Sequence, residues 1–141
     1  MQAGTPLSLS TMTAVPMTKT ILVADHSDAR LSAILAGHEL VFARTLDEAK
    51  AVLAGRVFDL IAISVHFDES RMFDLLRFVR WQERHRATPV VCLLTADFMR
   101  HAIAAEGLEI AVKALGGTAY LDLKAVGNAE ARSAIDDLLP A

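Results

Sequence analysis

The chain has 141 residues, 53% of them hydrophobic and 22% charged, which suits one domain with its own core and excludes a disordered polar chain. Seventeen acidic against 14 basic side chains leave a formal charge of −3, so no global basic field is available to hold nucleic acid. The single cysteine, Cys92, excludes an intrachain disulfide and suits a reducing compartment.

Residues 1–18 carry no charged side chain, and Thr, Ser and Pro interrupt every apolar stretch. With no basic start and no unbroken apolar block, this is not a signal peptide and reads as a flexible tail before a domain over 19–141. No run approaches the roughly 18 apolar residues of a membrane span, so a soluble, cytoplasmic protein is expected. From there, strand-length apolar blocks alternate with helix-period segments. Ile21–Ala24 is the first strand; a helix from near Ser27 follows, with Leu31, Ile34 and Leu35 on one face and Gly37 as its stop. Leu40–Ala43 is the second strand. Thr45 and Glu48 then open a helix with capping-box spacing, Ala49, Val52 and Leu53 face inward, and Gly55 ends it.

Leu60–Val65 is the third strand, and its helix spans about Ser70 to Arg86 with Met72, Phe73, Leu76, Val79 and Glu83 on the inner side. Val90–Thr95 is the fourth strand; Cys92 lies within it as a small buried hydrophobe. A fourth helix lies within Phe98–Leu115, closed by Gly116 and Gly117. Thr118–Leu123 is the fifth strand, and a last helix from near Asn128 shows Ala131, Ile135, Leu138 and Leu139 on one side. The first, third and fourth strands are nearly continuous apolar runs, as strands covered on both faces are. Five strand–helix repeats with right-handed crossovers give an α/β fold: an open, doubly wound, five-stranded parallel sheet with helices on both faces. Ligands of such sheets bind at the carboxyl ends of the strands, here Asp25 and His26, Ser64 to His66, Thr95, and the stretch around Asp122 to Lys124.

Four ordered blocks carry a resemblance: Lys19 to Asp25, Phe58 to Ser64, Pro89 to Ala96, and Ala114 to Leu121. Together they resemble the receiver (CheY-like, flavodoxin-like) domains of bacterial two-component response regulators over about residues 19–139. The resemblance implies an acidic pair after the first strand that binds Mg²⁺, an Asp ending the third that accepts a phosphoryl group, a hydroxyl ending the fourth that answers it, and a Lys after the fifth that neutralises it. Asp25 matches the first acidic position and His26 stands at the second. Ser64 stands at the phosphoacceptor. Thr95 matches the switch hydroxyl and Tyr120 the switch aromatic. Leu123 falls at the lysine position, with Lys124 one residue later.

Hard Mg²⁺ wants carboxylate oxygens, and an imidazole and a hydroxyl in place of two of them leave its binding weak or absent. A serine hydroxyl cannot form an acyl phosphate and is a weak nucleophile without a base. The expectation is therefore a stand-alone, non-enzymatic pseudo-receiver with no cofactor, signalling in a phosphorelay by protein–protein contact. Its expected partners are a histidine kinase, an effector or a second copy, with no nucleic acid and no membrane. The alternatives are a receiver phosphorylated at another acidic residue, or a metal or small-ligand sensor built from Asp25, His26, His66 and Asp68. Ser64, His66 and Asp25 make a nominal Ser-His-Asp set, but no Gly-x-Ser-x-Gly elbow supports a hydrolase.

Surfaces then carry the expected function. Phe78 and Trp81 fall away from the inner side of the third helix, among arginines, and are interface candidates. In the fourth helix, Ala104, Leu108, Ala111 and Leu115 form one apolar stripe. Ile103 and Ile110 form another, and Val112 extends it, so a dimer or docking face is expected there.

Overall fold

The computed structural model describes residues 18–25, 29–95 and 102–140, with side chains from residue 107 onward in the last stretch. The expectations for the tail, for His26 as a ligand, for the start of the fourth helix and for the Ile103 side chain lie outside these residues. In chain order the elements are β1 (Thr20–Ala24), α1 (Ala29–Ile34), β2 (Glu39–Ala43), α2 (Leu46–Gly55), β3 (Leu60–Ser64), α3 (Met72–Trp81), β4 (Val90–Leu94), α4 (Ala102–Ala114), β5 (Ala119–Asp122) and α5 (Asn128–Asp136). A helical turn at Phe67–Ser70 precedes α3, and a 3₁₀ turn at Glu83–His85 follows it. All strand pairs are parallel, in the order β2-β1-β3-β4-β5.

Alternate residues of the central strands point to opposite faces, and both faces are covered. Leu22, Ala24, Ile61, Ile63, Val90, Cys92 and Leu94 pack with Leu53, Leu75, Leu76, Val79 and Val112, from α2, α3 and α4. Ile21, Val23, Leu60, Ala62, Val91 and Leu93 pack on the opposite face with Leu31, Ile34 and Leu35 in and after α1 and with Ala131 and Ile135 of α5. Every residue of β3 and β4 is buried, which is why those runs read as continuously apolar. Burying one such Leu or Ile is worth about 1.5–3 kcal/mol, so these two layers carry most of the favourable free energy of folding.

The third helix is shorter than its periodicity suggests. It stops at Trp81, where Gln82 turns extended, and Glu83 lies outside it and is exposed rather than inward. Its inner face is Met72, Leu75, Leu76 and Val79. Arg80 holds the chain beyond the break. Its guanidinium donates to the carbonyls of Gly116 (2.7 Å), Thr88 (2.8 Å), Arg86 (3.1 Å) and His85 (3.2 Å). Five planar donors on one rigid group suit this collection of otherwise orphaned acceptors. The His85 ring is buried, with Nε2 2.8 Å from the Leu53 carbonyl at the end of α2, which anchors the turn from the other side. Where α4 meets β5, Gly116 is left-handed (φ +99°), and a Cβ on Gly117 would lie 2.9 Å from the Val112 carbonyl oxygen. The two glycines let the chain reverse against the helix end.

Candidate functional site

The chain leaves β1 toward β2 on one side and returns to β3 on the other. The strand order therefore reverses between β1 and β3, and a crevice opens at their carboxyl ends. Register brings the expected residues to one level. Ala24 pairs with Ile63, so Asp25 and Ser64 follow side by side, and Ser64 pairs with Leu93, two residues before Thr95. Asp25, Ser64 and Thr95 are thus assembled as expected.

Their chemistry is set by one contact. Ser64 is 1% exposed, and its Oγ lies 3.2 Å from Thr95 Oγ1. The backbone amide of His66 donates to the same oxygen at 3.2 Å. A hydroxyl has one proton and two lone pairs, so Ser64 can accept from His66 N and donate to Thr95. The nominal Ser-His-Asp relation fails here, because the backbone of His66 rather than its imidazole is what meets Ser64. Among the described residues Asp25 is the carboxylate at the ends of β1, β3 and β4, and no three His, Cys, Asp or Glu side chains are placed to hold a metal ion. The set Asp25, His66 and Asp68 is therefore not brought together as a metal centre among these residues.

Asp68 goes elsewhere. Asp68, Glu69 and Ser70 all have left-handed backbones (φ 43°, 55° and 69°), and the turn is tied to α2 because Asp68 Oδ2 accepts the Leu46 amide at 2.8 Å. Beside this tie, Arg44, Thr45, Glu48, His66, Asp68 and Glu69 line a polar groove of about 400 Å³. In the sequence Thr45 and Glu48 show only capping-box spacing. Glu48 N does donate to Thr45 Oγ1 (3.1 Å), while Glu48 Oε1 accepts from Arg44 N (2.8 Å) rather than from Thr45. Arg44 and Glu69 had no signal in the sequence.

On the β5 side, Tyr120 is half-buried against the first core layer, and its hydroxyl is enclosed without a partner among the described residues. Burial pushes that phenol up, and Asp122, Glu109 and Cys92 add to the effect. Leu123 is 1% exposed and belongs to the second core layer, so the lysine position points into the core rather than across the crevice. Lys124 is exposed, and its amide donates to Asp122 Oδ1.

One interface candidate needs correction. Val112 is 0% exposed and is a core residue, because α4 turns that edge onto the sheet. Phe78 is half-buried: it packs in part against the core, with Lys50 Nζ 5.3 Å from its ring centroid, and it also lines a groove with Trp81. Trp81 and Ile110 are exposed as expected, at 76% and 70%.

No family model matches the sequence, and no curated protein is similar to it at a significant level. Solved structures are. The chemotaxis response regulator CheY4 of Vibrio cholerae superposes with a TM-score of 0.70 at 24% identity, over 86% of this chain and 99% of that one. The signal receiver domain of a histidine kinase from Syntrophus aciditrophicus superposes with a TM-score of 0.67 at 24% identity, over 86% and 90%. The Mn²⁺-bound form of the response regulator Rcp1 superposes with a TM-score of 0.66 at 22% identity, over 87% and 99%. The chain therefore has the receiver fold, a flavodoxin-like five-stranded parallel sheet. No described helix is long and apolar enough to cross a membrane.

Proposed function

We propose that this chain is a receiver-type signalling module of a two-component phosphorelay that has given up phosphotransfer at β3 and acts by protein–protein contact. The observation that carries this reading is the Ser64–Thr95 hydroxyl pair at 3.2 Å. The phosphoacceptor position holds a group that cannot form an acyl phosphate, and the hydroxyl that would answer a phosphoryl group is already engaged by it. Among the described residues no three His, Cys, Asp or Glu side chains gather at Asp25, and weak binding of a divalent ion is the expectation of this reading. Among the described residues the contacts of Ser64, His66 and Thr95 hold one arrangement rather than set a group for covalent chemistry.

The partners in this reading are a histidine kinase, an effector or a second copy, in the cytoplasm. Exposed Ile110 on α4 supports a contact there, and light scattering that shows a monomer at high concentration removes the homodimer part. A phosphorylated receiver using Asp68 is the competing reading; the bond from Leu46 N to Asp68 Oδ2 stands against it. Incubation with acetyl phosphate and Mg²⁺, read by intact mass, tests the choice. No adduct is expected, and beryllofluoride with Mg²⁺ leaves Trp81 fluorescence unchanged. A stable phosphoryl adduct on Ser64 or Asp68, or a saturable beryllofluoride response, overturns the proposal.

A further inference from the structure

The groove between α2 and α3 is lined by Leu46, Lys50, Asp74, Arg77, Phe78 and Trp81 and has a volume of about 250 Å³. It lies on helices that take no part in the crevice chemistry. Its floor is apolar, and its outer wall is Trp81, the one Trp of the chain, which leaves most of its ring in water. An exposed large aromatic beside an arginine has the composition of a binding anchor.

The charge around it is unlike the rest of the protein. Residues 71–86 hold five arginines against two carboxylates in a chain of formal charge −3. Arg80 is spent on backbone carbonyls, and Arg84 lies outside the groove, where it donates to the Ala54 carbonyl at 2.8 Å. Arg77 shares its charge with exposed Asp74 at 3.1 Å. Lys50 rests against the Phe78 ring and meets no carboxylate among the described residues. The rim is therefore cationic over an apolar floor.

We infer that this groove binds an acidic, amphipathic segment of a partner protein, with one apolar side chain seated beside Phe78 and Trp81 and carboxylates against Lys50 and Arg77. The volume is below the roughly 300–1,000 Å³ of small-molecule pockets, so it suits one or two side chains rather than a cofactor. A second copy is disfavoured by the same charges, because a two-fold contact would set cationic rims against each other. Helix-in-groove docking between two surface helices matches the shape.

Two synthetic peptides of about 15 residues test this, long enough to form a helix on binding. They share one apolar pattern and carry either Glu or Lys on the polar face. Each is titrated into the full chain with Trp81 fluorescence as the readout. The Glu peptide saturates with a blue shift and weakens as salt rises from about 0.05 to about 0.3 M, and the Lys peptide does not bind. The double variant Lys50→Glu, Arg77→Glu lowers affinity by at least about tenfold, and Trp81→Ala, followed by calorimetry, does the same. Unchanged far-ultraviolet circular dichroism shows that each variant is folded, and Ile110→Glu on α4 leaves binding intact. Equal binding of both peptides, no saturation by the Glu peptide, or loss of binding with Ile110→Glu overturns the inference. So does a concentration-dependent dimer that Trp81→Ala abolishes, which would put a second copy in the groove. None of these readouts involves phosphate, so the outcome is independent of the acetyl phosphate test.

Discussion

The Ser64–Thr95 pair makes an asymmetric prediction about stability. Ser64→Ala removes a hydroxyl that serves two neighbours inside the protein: Thr95 Oγ1 and the amide of His66, each at 3.2 Å. One lost hydrogen bond is worth about 0.5–1.5 kcal/mol, and an enclosed amide left without an acceptor adds about 1–3 kcal/mol. Ser64 is almost fully buried, so water does not easily replace the oxygen, and a total of about 2–3 kcal/mol is expected. Thr95→Ala removes only the shared bond from a half-buried position that water can reach, and costs about 1 kcal/mol. The double variant costs less than the sum, by about 0.5–1.5 kcal/mol, because the bond is lost only once. Urea unfolding of the four proteins, followed by circular dichroism with m-values compared, measures all three quantities. Equal costs for the single variants, with coupling under about 0.3 kcal/mol, would show that the hydroxyls do not bond and would remove the main support for a locked crevice.

Cys92 gives a pH prediction. Burial pushes its thiol up to about 12 from an ordinary 9.0, with the Arg80 charge opposing. In the unfolded chain the thiol loses its proton above about pH 9, while the folded chain keeps it, so stability is full below that pH and falls as pH rises toward 12. By pH 11 the loss is roughly 2–3 kcal/mol, and Cys92→Val flattens the profile in urea titrations run at each pH. The same burial predicts that iodoacetamide modifies Cys92 only at the rate of unfolding. Arg80→Lys keeps the charge but not the fork that holds the Gly116, Arg86 and Thr88 carbonyls, and is expected to cost about 1–3 kcal/mol by urea unfolding. Glu69→Gly relaxes a left-handed backbone (φ 55°) and stabilises by about 0.5–1 kcal/mol, whereas Asp74→Gly inside α3 costs about 1 kcal/mol. Matching signs for those two variants in thermal melts would refute the left-handed turn.

The sheet was legible because its strands are covered on both faces. A run such as Leu60–Ser64, wholly buried, cannot be mistaken for an amphipathic helix at that length. Strand ends follow directly, so Asp25, Ser64 and Thr95 could be placed together without any long-range information. Helix faces were harder. The helix α4 is apolar around much of its circumference, and periodicity cannot rank two apolar stripes; docking decides, and it buries Val112 while leaving Ile110 in water. The arginines of α3 read as a solvated face, because nothing local announces that Arg80 will collect carbonyls from residues 85, 86, 88 and 116. The left-handed turn at Asp68–Ser70 carries no glycine, the usual signal for that backbone, and its tie to Leu46 crosses 22 positions of sequence.

In the proposed reading, the lack of an anion at β3 and the lack of a cation after β5 belong together. A lysine near Asp25 would have a use if a second carboxylate or a phosphoryl group stood at β3. With Ser64 there instead, it would be a cation facing mainly hydroxyls, and its desolvation would be poorly offset. Leu123 removes that cost and adds an apolar side chain to the second core layer beside Ile135 and Leu31. The turn after β5 is then held by the neighbouring helix α1. Arg30 donates to the carbonyls of Leu123 and Val126, the latter at 2.7 Å, and to Asn128 Oδ1 at 2.8 Å. The charge that fixes this loop thus comes from α1 and contacts backbone, where it needs no phosphoryl group to balance it. Restoring Ser64→Asp alone would therefore leave a buried carboxylate without a cation, and Leu123→Lys alone would force a cation out of an apolar layer. Each single reversion should destabilise the fold by at least about 2 kcal/mol in urea, and the pair by less than their sum if the two side chains meet in the crevice. Strict additivity would show that Leu123 was never part of the same site.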